Sequence, residues 1–172
     1  RRETMENLYK ELRSFFANDM DLNDLFDSEA IIWIDWREYD EDVVNYFNDM
    51  MDEPIDIQIV SNGKPYGDDI VLKNGNKELQ IPYGDEQDRD VTIKYFNDFV
   101  KPDYEVRWFA ESLGNDTLGF TVLSGAEWAN LEDEFGADTV GYYFEPIDLE
   151  SNMFNLDIDE VSALLELREN NR

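Results

Sequence analysis

The sequence contains no cysteine and no histidine. Without cysteine there is no disulfide framework, no thiolate nucleophile and no cysteine-ligated metal centre, which fits a reducing compartment. Without histidine, general acid–base work near neutral pH would fall to perturbed carboxylates, lysine or tyrosine. Long hydrophobic runs are missing too. The most apolar stretch, residues 30–34, is interrupted by Asp35, far short of a bilayer span, and the N-terminus lacks the apolar core of a signal peptide. A cytoplasmic protein without a membrane partner is expected. Positive charge is scarce, with 14 Lys and Arg against 42 Asp and Glu, a formal net charge of −28.

What is present allows a packed interior. Apolar residues make up 42% of the 172, and 4 Trp, 9 Tyr and 11 Phe can bury much area per residue. The length suits one domain, residues 5–172, while residues 1–4, ahead of Met5, are read as an added remnant. The acidity works against compaction through self-repulsion. High-salt adaptation would produce it but favours leaner cores than this one. Solubility needs only a modest net charge. Recognition of something positive, or imitation of something negative, accounts for −28 best, since such a field steers a basic partner and repels nucleic acid and anionic membrane.

Periodicity predicts an α+β fold: a mixed, largely antiparallel sheet flanked by helices. Leu8, Leu12, Phe15 and Phe16 mark an opening helix, and Leu22, Leu25 and Phe26 a further helical turn. Residues 30–36 (AIIWIDW) read as a strand largely buried on both faces, 43–51 as a helix with Asp40, Glu41 and Asp42 at its N-terminus, and 55–60 as a half-buried strand. Segments 70–73 and 77–82 flank Asn74-Gly75-Asn76, a hairpin signal. A helix over 88–100, strands over 104–111 and 118–123, and a helix capped by Ser124 with Glu127 follow. Residues 139–144 are predicted as a strand and 158–168 as a helix capped by Asp157. Tyr46-Phe47-Asn48-Asp49 recurs as Tyr95-Phe96-Asn97-Asp98, each followed at the same distance by a strand. The match suggests two strand–helix–strand units, about 30–82 and 83–147, placed alike in one sheet; in the plainer reading Tyr and Phe are core and Asn-Asp a polar helix end.

Chemistry-bearing motifs are lacking. Ser124 is explained as a cap rather than a nucleophile, Gly63-Lys64-Pro65 fails as a phosphate loop, and no dinucleotide-binding glycine motif occurs. Asp19, Asp21, Asn23 and Asp27 have calcium-loop spacing, but Asp24 replaces the glycine and Ala30 the closing glutamate. No catalytic residue, cofactor or metal is therefore predicted; a carboxylate-based enzyme or a weak cation-binding protein is the minority alternative.

Charge distribution points to the interface. Residues 108–167 carry fourteen acids and no Lys or Arg, and a tighter cluster comprises Asp35, Glu38, Asp40, Glu41 and Asp42 against Arg37. The predicted partner-binding residues are Glu132, Asp133, Glu134, Asp138, Asp148 and Glu150, with Tyr142 and Tyr143 as aromatic anchors. The expected function is stoichiometric inhibition of a basic protein, without direct nucleic-acid contact. The strand text IIWIDW and the run FTVLSGAEWANLEDEFG, in a small acidic α+β chain, resemble the immunity proteins that bacteria encode beside polymorphic or contact-dependent toxins. That resemblance implies a cognate toxin, such as a nuclease, as partner. Phage-encoded inhibitors of host defence, anti-restriction or anti-CRISPR proteins whose carboxylates mimic nucleic-acid phosphates, share the composition and form the alternative.

Overall fold

A computed structural model describes residues 4–65 and 67–171. Of the presumed remnant, residues 1–3 lie outside that range, whereas Thr4 N-caps the first helix by accepting the Asn7 N–H at 3.3 Å. Helices α1 (Met5–Phe16) and α2 (Leu22–Phe26) lead into strand β1 (Ile32–Asp35), α3 (Asp40–Met50) and β2 (Asp56–Ser61). Strands β3 (Asp68–Asn74) and β4 (Lys77–Gln80) form the predicted hairpin, turning at Gly75 with φ 61°. Then come α4 (Arg89–Val100), β5 (Tyr104–Phe109), β6 (Thr117–Ser124), α5 (Gly125–Phe135), α6 (Ala137–Tyr143), β7 (Phe144–Pro146) and α7 (Ile158–Asn170). The fold is α+β.

The strands do not share one sheet. Four run in the order β1-β6-β5-β7 and three in the order β2-β3-β4, with every pairing antiparallel. The mixed single sheet is thereby corrected, and so is the placement of the two presumed units alike within it: β2, after α3, belongs to the small sheet and β5, after α4, to the large one. β1 is an edge strand in which only Ile34 is fully buried, not a strand covered on both faces. Residues 139–144 are not a strand either. Gly136, at φ 94°, turns the chain straight from α5 into α6, burying Val140.

The recurring tetrapeptide nevertheless has a shared role. Phe47 and Phe96 are fully buried and touch, with ring centroids 5.5 Å apart. The Asn48 side chain accepts the Ile55 N–H and donates to the Ile55 carbonyl, both at 2.8 Å. Asn97 accepts the Val106 N–H at 2.8 Å and donates to the Ile147 carbonyl at 2.9 Å. Each asparagine thus supplies hydrogen bonds to backbone that has no strand partner there, as buried peptide groups require. The polar member of the motif is a buried clamp on the chain that follows.

One core unites these parts. Phe109, Phe144 and Trp128 cluster on the large-sheet face covered by α1 and α5, while Phe120 meets Phe47 and Phe154 on the other. Each fully buried aromatic of this kind contributes about 1.5–3 kcal/mol over its exposed state. The small sheet is tied to α4 by Lys77, which donates to the Phe99 carbonyl and lies over the Phe99 ring. Asp90, buried at the start of α4, accepts the backbone N–H groups of Met153, Phe154 and Asn155 and so moors the loop before α7. No helix among the described residues is long and apolar enough to cross a membrane.

Candidate partner-binding surface

Where β1 ends, the chain must leave the sheet and enter α3 within a few residues, and the turn that does so is held by two arginines. The Asp35 carboxylate accepts the Arg37 backbone N–H at 2.8 Å and both guanidinium contacts at 3.0 Å. The Arg37 guanidinium, and then its backbone N–H, push the Asp35 carboxyl down to about 2. From α4, Arg89 donates to Asp40 and to the Asp35 carbonyl, both at 2.8 Å, and to the Glu38 carbonyl. Its guanidinium lies 5.6 Å from the Phe154 ring. Burial raises the Asp40 carboxyl even against this arginine. The acidic cluster of residues 35–42 thus has a second, largely buried counter-ion, 47 positions beyond its end, that no local spacing reveals.

With the backbone fixed, the points from which its side chains leave the turn are fixed too. Trp36 is 60% exposed and Tyr39 72% exposed, large apolar groups held in water on a pinned turn. Trp36 stands between two depressions. One, of about 430 Å³, lies against Tyr39, Glu38, Glu86 and Asp88; the other, of about 400 Å³, lies against Asn115, Asp116 and Ile158. Arg37 sits 5.7 Å from the Trp36 ring, a cation–π geometry within this one chain. On the adjoining side Tyr46 donates to Glu38 at 3.1 Å, and an open groove of about 600 Å³ passes Ile32, Trp33, Tyr46, Asp49 and Met50. Exposed aromatics therefore alternate with carboxylates along one face. Periodicity alone missed Trp36, Tyr39 and Tyr46 as surface groups; the available signal was aromatic residues set among charges just past a strand end.

The residues predicted from charge alone fall in several places. Glu132, on α5, meets Arg107 at 3.4 Å, and Glu134 holds Arg13 in a two-point contact at 2.9 and 2.7 Å. Neither is an uncompensated surface charge. Asp133 and Asp138 are exposed, and Asp148 organises its own turn by accepting the N–H of exposed Glu150 at 2.8 Å. Tyr142 and Tyr143 are half-buried. The Arg168 guanidinium lies 4.1 Å from the Tyr142 ring and donates to the Tyr142 carbonyl at 2.6 Å, while Tyr143 packs edge-on against Phe15 at 5.0 Å. Asp138, Tyr142 and Tyr143 do share one depression, of about 890 Å³, with Glu111, but Asp148 and Glu150 lie in the loop before α7, not among its lining residues.

No family model, no curated protein and no solved structure matches this chain. Among the described residues no group of three or more carboxylates gathers in a way that could hold a metal ion. The arrangement is suited to non-covalent recognition: exposed aromatics on a held turn with negative charge around them.

Proposed function

We propose that this chain is a stoichiometric binding protein of the cytoplasm that captures and neutralises a basic protein, and that it does so through the face formed by Trp36, Tyr39 and Tyr46. The observation carrying this reading is the pinned turn. Trp and Tyr dominate binding hot spots, and a turn whose backbone is already held loses little backbone freedom on association. The carboxylates of Glu38, Asp49, Glu86 and Asp116 around them give the field that steers a positive partner and sets the on-rate. Neutralising a toxin such as a nuclease, as the resemblance to immunity proteins implies, is the use this surface suits.

The test is affinity capture at low and high salt followed by kinetics with the identified partner. Trp36→Ala or Tyr39→Ala should weaken the complex about 30-fold or more, chiefly through the off-rate. Glu86→Lys should slow association and flatten its salt dependence. If both aromatic variants bind like the wild type while Asp133→Lys with Glu150→Lys abolishes binding, the contact lies on the C-terminal acidic surface instead.

A further inference from the structure

The small sheet ends in an open edge. β2 pairs with β3 alone, and no strand lies beyond it among the described residues. The direction of its backbone groups follows from three hydrogen bonds. Asn62 donates to the Gly67 carbonyl across the β2–β3 turn, so Asn62 faces inward. Ile81 donates to the Ile70 carbonyl, so Ile70 faces β4, and its partner Ile59 faces away from β3. Ile55 also faces away, where Asn48 satisfies it. By alternation along a strand, Ile57, Ile59 and Ser61 present N–H and C=O groups to the open edge.

Natural edges are usually guarded by lysine, proline or a bulge. Residues 57–61 (IQIVS) contain none of these and no charge, and Ile59 and Val60 are 40% and 47% exposed. The small sheet also carries little net charge to repel a second copy of itself. Residues 55–82 carry four acids against three lysines, in a chain of net charge −28.

We infer that β2 pairs antiparallel with β2 of a second copy, joining two small sheets into one of six strands. Matching outward-facing residues to outward-facing residues sets the register: Ile59 lies opposite Ile59 of the second copy, Ile57 opposite Ser61, Gln58 opposite Val60 and Asp56 opposite Asn62. No two like charges meet in that register, and Lys64 beyond one end approaches Glu53 beyond the other, so the contact is complementary in charge as well as in hydrogen bonding. A basic strand would find little acidity here, whereas the Trp36 face is rich in it. This inference is independent of the partner-binding reading and has the opposite salt dependence: screening the distant acids strengthens self-pairing and weakens capture of a basic protein.

The experiment is sedimentation equilibrium over a concentration series at about 0.05 M and about 0.5 M salt, with amide hydrogen exchange on the same samples. The expected result is a mass that doubles with concentration, at lower concentration in high salt, with added protection at the Ile57, Ile59 and Ser61 amides. Ile59→Pro removes an outward donor that the β2–β3 ladder does not use and should restore the monomer with the fold intact. Ile59→Lys, at an exposed position, should do the same and serves if the proline variant fails to fold. A monomer at every concentration and salt overturns the inference, as does a dimer unaffected by a folded variant at Ile59. Edge protection that appears only on adding poly-lysine also overturns it, assigning the edge to a basic partner's strand.

Discussion

Glu132 and Asp133 are adjacent acids on α5, and replacing each by lysine should have opposite consequences. Arg107, on β5, has a side chain only 5% exposed, contacts Glu105 at 2.7 Å and Glu132 at 3.4 Å, and lies 4.5 Å from the Trp128 ring. An ion pair near a protein surface is worth up to about 4 kcal/mol at an effective dielectric of about 20. The Glu132 side chain is 31% exposed and Glu105 remains as a partner, so losing the attraction alone costs about 1 kcal/mol. Lysine in its place adds repulsion against a buried guanidinium, bringing the total for Glu132→Lys to about 2–4 kcal/mol. In a chain of this size that lowers the melting temperature by about 5–12 °C. Asp133 is exposed, so Asp133→Lys should stay within about 0.5 kcal/mol of the wild type, with any change in the stabilising direction because the net charge is −28. Calorimetry of the two variants and of Glu132→Gln, which should fall between them, decides the matter. Melting temperatures for the two lysine variants within about 2 °C of each other would refute the claim that Glu132 is a structural partner of Arg107.

Two further outcomes follow from polar groups that the fold holds in place. The Asp35 carboxyl, depressed to about 2, stabilises the fold above its ordinary range and loses that contribution as pH falls toward 2, whereas Asp40, raised by burial, opposes folding when charged and stops doing so on protonation. Together with relief of self-repulsion, the melting temperature should rise between pH 7 and about 4.5 and fall below about 3; a monotonic fall from pH 7 would contradict this. Asn97→Ala leaves the Val106 N–H without its acceptor and should cost about 1–3 kcal/mol in denaturant unfolding. Asn97→Asp keeps that acceptor but turns an oxygen toward the Ile147 carbonyl, so its deficit should shrink as the new carboxyl is protonated; a deficit independent of pH would count against the clamp.

Wherever an interaction closes within a few residues, the sequence by itself determined the structure. Ser124 and Glu127 form a capping box, as do Asp157 and Glu160, and the Asn74-Gly75 turn makes the hairpin, because cap and turn bonds span two to four positions and depend on little else. The alternation and spacing of apolar residues likewise foreshadowed most helices and strands and the α+β class. Tertiary structure alone decided which strands share a sheet, since pairing joins residues far apart and many registers satisfy the same alternation. It also overrode local preference at Val140 and Tyr142–Tyr143, whose β-favouring side chains are buried or packed from a helix instead. Most of all it decided what the acids do. Glu134 and Arg13 are 121 positions apart and Asp40 and Arg89 are 49 apart, so charges that look uncompensated along the chain are neutralised in space, while Trp36 and Tyr39, indistinguishable from core aromatics by composition, are held in water. Coulomb attraction and burial depend on distance through space, and only folding sets that distance.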